Sequence, residues 1–251
     1  FGIYRAIKEE LFKPAAFGSF IQRNIGAVLM ISFIALYWYS SLTSPLNIGV
    51  RHVLPTFAFV FVLIAGQISQ WLATRSATLK EALKTNRTLL AKYIFVGILI
   101  VWQIASVVSV YPSFLAYFNE LVGMKNGYKY AVDSNLDWGQ DLKRLAQWTQ
   151  ENNIDKIYVN YFGGATPQYH LGEKYIPWWS ERDPEILNDE GGWLAVSATF
   201  LQGGRGEVID TLSDQEGLYR WLDDFEPITV IGHSIFVYHI PPHSVIKISS
   251  K

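Results

Sequence analysis

Apolar and polar positions are distributed very unevenly along this chain. No Asp, Glu, Lys or Arg occurs between Arg23 and Arg51, between Arg51 and Arg75, or between Lys92 and Glu120. Within those gaps lie three apolar runs, "NIGAVLMISFIALYWYSSL" (24–42), "VLPTFAFVFVLIAGQISQWL" (53–72) and "YIFVGILIVWQIASVVSVY" (93–111). A helix needs about 20 largely apolar residues to cross the hydrocarbon core of a bilayer, and each run is of that length. Core helices of soluble proteins rarely run so far without a charge. Tyr37, Trp38, Tyr39, Trp71, Tyr93 and Tyr111 stand near the ends of the runs, as interfacial aromatics do. The pattern predicts three transmembrane helices.

Charge then sets their direction. The loop between the second and third runs carries Arg75, Lys80, Lys84, Arg87 and Lys92 against the single acid Glu81. By the positive-inside rule that loop is cytoplasmic, and Arg5, Lys8, Lys13 and Arg23 place segment 1–23, an amphipathic stretch, on the same side. Arg51, His52 and everything after the third span are then expected outside.

Beyond Glu120 charges return at ordinary density and the periodicity changes. "PSFLAYFNELVG" (112–123) puts Phe114, Leu115, Phe118, Leu121 and Val122 on one helical face, which suits a helix in the interface or a continuation of the third span. Region 112–135 is read as the connector. Ser134 and Asp137 fit a capping pattern ahead of Trp138, Leu142, Leu145 and Thr149, which predicts a helix over 136–151. "KIYVNYF" (156–162), "WLAVSATFL" (193–201) and "ITVIGHSIFVYHI" (228–240) predict strands, the last a pair turning near Gly232-His233, and "EGLYRWLDDF" (216–225) a short helix. Segment 163–192 reads as a long turn-rich excursion. The expected fold is an α-helical membrane bundle followed by a small extracytoplasmic α/β domain over 136–251.

Composition adds limits. Across 251 residues, 17% are charged and the net charge is −1, with no basic block to meet a nucleic acid. There is no cysteine, hence no disulfide and no thiolate metal site. The chain starts at Phe1 without a signal peptide and is expected to be the C-terminal piece of a longer protein.

Three sets of residues are chemical candidates. Arg51 is the single formally charged side chain between Arg23 and Arg75 and lies at the outer mouth of the second span. It is either a snorkelling arginine or, with His52, a phosphate clamp, because the guanidinium fork matches phosphate oxygens. Asp133, Asp137 and Asp141 flank Trp138 in "DSNLDWGQDLKRL" (133–145). They suit the first turn of a helix, where carboxylates complement the dipole, or else a divalent-cation or sugar-hydroxyl site. Tyr169, His170, Tyr175, Trp178 and Trp179 in the excursion either stack on sugars or headgroups or pack on the domain's own core. No Ser/His/Asp order, Gly-rich phosphate loop or paired-His spacing stands out.

Taken together, "LNIGVRHVLP" (46–55), "YPSFLAYFNELVG" (111–123), "DSNLDWGQDLKRL" (133–145), "AVSATFLQG" (195–203) and "GHSIFVYHI" (232–240) resemble the C-terminal part of bacterial polytopic glycosyltransferases of the GT-C type. These are relatives of the protein O-mannosyltransferases and the lipid A aminoarabinose transferases. The resemblance implies a sugar transferase that draws on a polyprenyl-phosphate donor at the outer face of the inner membrane. The family's Arg-aromatic-x-x-Pro pattern falls on Arg51 and Pro55, with His52 where relatives often have Tyr. The family's catalytic acid lies in a first outer loop, so the implied catalytic residue is upstream of Phe1 and this fragment alone is expected to be inactive. The competing expectation is a non-catalytic outer module that binds glycan or protein.

Overall fold

The computed structural model describes residues 14–44, 49–73, 86–203 and 219–244, and it divides into two compact units, Phe1–Gln103 and Ile104–Lys251. Residues 1–13, the basic loop over 74–85 and the start of the expected helix over 216–225 lie outside the described residues.

In the first unit helix α1 (Pro14–Arg23) leads into α2 (Ile25–Thr43). A 3-10 turn over Gly49–His52 precedes α3 (Leu54–Leu72), and α4 (Arg87–Ser109) follows, its last six residues belonging to the second unit. These last three helices are long and apolar enough to cross a membrane. At 1.5 Å per residue the 19 residues of α2 span about 28 Å, close to the hydrocarbon thickness of a bilayer. None of them is buried, and Leu36, Tyr39 and Leu42 stand 70–77% exposed. An apolar surface of this extent is more than a helix exposed to water carries. The helices touch through specific groups. Phe33 meets Phe59 at 5.0 Å, and Trp38 Nε1 donates to Thr56 Oγ1 at 3.1 Å. Lys92 Nζ donates to the Trp71 carbonyl at 2.8 Å, which joins the end of α3 to the start of α4. The third helix begins six residues before the predicted Tyr93, because Asn86 caps it: its Oδ1 accepts the Leu89 amide at 3.0 Å.

In the second unit the connector is not the predicted helix over 112–123. It is a chain of 3-10 turns over Phe114–Ala116, Met124–Lys129 and Asp133–Asn135. Asn119 is one cause. Its Oδ1 accepts the amides of Leu121 and Val122 at 3.1 and 3.2 Å, a local turn that competes with the helical ladder.

Helix α5 (Leu142–Glu151) also begins later than the expected 136. The Ser134–Asp137 capping pair does not form. Asp137 Oδ1 takes the Gly139 amide at 3.0 Å, and Gly139 sits at φ +75, outside any right-handed helix. Strand β1 (Ile157–Asn160) follows, then α6 (Pro167–Leu171), β2 (Tyr175–Pro177), α7 (Glu185–Glu190), β3 (Gly192–Ser197), α8 (Ala198–Gly203), β4 (Thr229–Ile231) and β5 (Ile235–Ile240). Segment 163–192 is therefore partly regular and supplies an edge strand, with Pro177 at its end where a missing N–H is tolerated. The predicted strand over 193–201 stops at Ser197, where the ladder runs out against Ile235, and turns into α8. The expected helix over 216–225 is described as a 3-10 turn over Arg220–Asp224.

The sheet order is β2-β1-β3-β5-β4, parallel across β2-β1-β3 and antiparallel across β3-β5-β4. Period-two alternation splits its side chains between two cores. Leu194, Val196, Phe236 and Tyr238 pack with Leu136, Trp178, Tyr219 and Leu222. Ala195, Ile235, Val237, Ile157 and Val159 pack with Leu142 and Leu145 of α5.

Candidate functional site

From β1 the chain passes to β2 on one side, and from β3 it passes to β4 on the other side, beyond β5. The carboxyl ends of β1 and β3 thus flank a point where strand order reverses, the place where open α/β sheets gather ligand sites. The Asp-Trp-Gly stretch lies there.

Asp141 is fully buried at the N-cap of α5. Its Oδ1 accepts from Arg144 Nη1 at 2.7 Å, and its Oδ2 accepts from Ser234 Oγ at 2.7 Å and Gln140 Nε2 at 3.2 Å. Arg144 Nη1 also reaches Ser113 Oγ at 2.8 Å, so one guanidinium ties the connector to the helix. Ser234 lies in the β4–β5 turn, where Gly232 and His233 both take positive φ. Asp141 is thereby a knot between three segments, with both carboxylate oxygens engaged.

Asp137 differs. It too is fully buried, yet only Oδ1 has a partner, and Oδ2 meets no hydrogen-bond donor among the described residues. Burial pushes its carboxyl up to about 6, the charges of Asp141 and Asp133 push the same way, and the Gly139 amide and nearby Ser197 hydroxyl offset part of this. Ser197 Oγ itself takes the Phe162 amide at 2.9 Å, which closes the β1 exit against the end of β3. Beside them, Tyr161 donates to the Gly139 carbonyl at 2.8 Å. Burial, with the Asp137 and Asp141 charges behind it, raises that phenol above its usual range. Gly139 and Gly163 press together under its ring: a Cβ on Gly139 would fall 2.0 Å from Tyr161 Oη and 2.9 Å from Gly163 Cα. The His233 imidazole is lowered, first by burial and then by Lys125 and Arg144, with Asp141 opposing. The arrangement holds a carboxyl poised to gain or lose a proton near neutral pH, a property that clusters at functional sites.

Asp133 is exposed at φ +55, and its amide donates to Thr199 Oγ1 at 3.0 Å. Trp138 is 54% exposed, its indole N–H held by the Ser134 carbonyl at 2.8 Å. Asp133, Asp137, Trp138 and Asp141 therefore do converge, though not as three carboxylates on one helical face. The excursion's tryptophans part company. Trp178 is buried in the core, edge-on to Tyr158 at 5.4 Å, whereas Trp179 is 50% exposed with the Arg182 guanidinium 5.3 Å from its ring. Among the described residues no three His, Asp or Glu side chains are gathered as metal ligands. In the first unit Arg51 is exposed and His52 half-buried, both in the 3-10 turn ahead of α3, with Pro55 in the helix's first turn.

Arg144, Tyr161, Ser197 and Ser234 join the site without having been among the candidates in the sequence. The signals it held were the Asp141–Arg144 spacing of three and the Gly232-His233-Ser234 turn. No family model, curated protein or solved structure matches the chain.

Proposed function

We propose that the chain belongs to an integral membrane glycosyltransferase that takes its sugar from a polyprenyl-phosphate donor at the outer face of the bacterial inner membrane. The observation that carries this reading is the position of Arg51. An exposed guanidinium sits in the turn that opens α3, a helix apolar enough to span a bilayer. The positive end of the helix dipole and the guanidinium fork both favour a phosphate held at that level. In sugar transfer the lipid phosphate is the leaving group, so a cation on its oxygens stabilises the charge that develops as the glycosidic bond breaks. The motifs that resemble the GT-C enzymes support the same reading.

Tyr169 at 84% and Trp179 at 50% exposure favour a second role for the α/β domain, glycan binding by ring stacking.

Substitution of Arg51 tests the clamp. Charge-assisted hydrogen bonds contribute roughly 1.5–3 kcal/mol, and about 1.4 kcal/mol is tenfold in rate, so Arg51→Ala is expected to lower turnover of the complete enzyme about 10- to 100-fold. Arg51→Lys keeps the charge without the fork and falls between. Equal turnover of all three proteins at matched membrane levels would remove the clamp from the account.

A further inference from the structure

The connector between α4 and the sheet has two sides. One is fixed to the domain: Ala116 is fully buried, and Phe118, Met124, Tyr128 and Val132 pack against the core cluster. The Tyr128 ring meets Phe236 of β5 at 4.7 Å. Gly127 is pressed so closely that a Cβ there would lie 2.2 Å from the Phe118 ring. The other side is bare. Phe114 is 50% exposed, Leu115 52%, Tyr117 42%, Tyr130 72%, Tyr111 74% and Leu121 96%. A leucine presented almost whole, among aromatics, on a segment otherwise locked to its domain is not explained by folding of that domain.

The depth of this surface is set by α4. Ser106 Oγ donates to Glu120 Oε1, and Tyr117 Oη donates to the same oxygen at 3.4 Å. Ser106 lies three residues before the end of α4, about 4.5 Å along the helix axis at 1.5 Å per residue. The chain therefore returns at Glu120 to the last turn of an apolar helix, and Leu121 is the next residue. Lys125 and Lys129 are exposed on the same segment. Lysines and tyrosines around apolar side chains are the composition of a surface that meets headgroups with its rim and acyl chains with its centre.

We propose that the exposed side of the connector, residues 111–130, is a lipid-binding foot that seats the α/β domain on the headgroup–acyl boundary of the bilayer. The proposal rests on the reading that α4 crosses a membrane. The occupant is lipid, because the foot starts two residues after the end of that helix and is bonded back to its last turn. The lysines fit anionic headgroup phosphates.

These 251 residues contain no cysteine, and any in the rest of the complete protein is replaced before single cysteines are introduced. The complete protein is reconstituted in phosphatidylethanolamine–phosphatidylglycerol vesicles with an environment-sensitive fluorophore on Leu121→Cys, Tyr130→Cys, Val101→Cys or Glu173→Cys. Val101 lies within α4 and Glu173 on the exposed surface of the domain. The foot predicts blue-shifted emission at 121 and 130, quenching by shallow spin-labelled lipids, and iodide quenching several-fold weaker than at 173. Iodide quenching at 121 equal to that at 173 overturns it. So does blue-shifted emission at 121 that spin-labelled lipids leave untouched, since the cover is then protein. Lipid quenching at 101 with none at 121 overturns the foot alone, whereas its absence at both sites removes the membrane-spanning reading of α4 as well.

Discussion

A methyl group on Gly232 would lie 2.0 Å from the carboxylate of Asp141. The glycine is at φ +58, a conformation that side chains resist, and the carboxylate it clears is the one that holds Ser234 and Arg144. The β4–β5 turn and the start of α5 are thus fitted to each other through one missing Cβ.

Gly232→Ala is expected to be severe. The left-handed backbone costs about 1 kcal/mol with a Cβ, and displacing a buried, charge-assisted pair adds roughly 1.5–3 kcal/mol. Gly164→Ala has nothing within 4 Å of the new carbon and is the control, expected within about 0.5 kcal/mol of the parent. Chemical unfolding followed by tryptophan emission reads both. Matching midpoints for the two variants would contradict the fitted turn.

Asp137 gives a prediction with a sign. Its carboxyl is raised from 3.8 to about 6, first by burial, so the folded protein binds this proton more tightly than the unfolded chain. The stabilisation is complete below pH 4 and is lost as pH rises through 6. The loss amounts to about 3 kcal/mol by pH 7.5, at about 1.4 kcal/mol per tenfold. Asp137→Asn removes the ionisation while its carbonyl still accepts the Gly139 amide. The variant is expected to be the more stable protein at pH 7.5 and to lose the decline between pH 4.5 and 7. A variant less stable than its parent at pH 7.5 would show that Oδ2 has a partner that needs the charge.

Orientation is tested by chemistry from one side. Cysteines in place of Ser44, after α2, and Ser180, in the α/β domain, are expected to react with a membrane-impermeant maleimide in intact spheroplasts. One at Thr78, in the basic loop outside the described residues, is expected to stay unlabelled until the membrane is opened. Labelling at Thr78 alone inverts the topology.

The long-period features were legible in the sequence. Charge-free runs mark α2, α3 and α4 to within six residues at every end, because composition over about 20 residues outweighs any local choice. The hairpin at Gly232-His233 was equally plain. Local patterns misled where side chains bond across distance. Ser134 and Asp137 have the spacing of a cap, but Asp137 turns to Gly139 and Ser134 gives its carbonyl to Trp138, so α5 waits until Leu142. The site shows the same division. Its acids could be read from "DSNLDWGQD". Ser234, which donates to Asp141, lies 93 residues from it, and Tyr161, which donates to the Gly139 carbonyl, lies 22 residues from that glycine, and only the meeting of β1, β3 and the β4–β5 turn brings them in.

Transfer of the sugar itself tests the central claim most directly. The complete protein is reconstituted in phospholipid vesicles with an acceptor and a polyprenyl-phosphate carrying a radiolabelled sugar, and label is followed from donor lipid to acceptor. The account predicts transfer from the lipid-linked sugar, none from the corresponding nucleotide sugar, and a loss of about 10- to 100-fold with Arg51→Ala. Failure to draw label from any polyprenyl-phosphate sugar, or equal use of the nucleotide sugar, would contradict it.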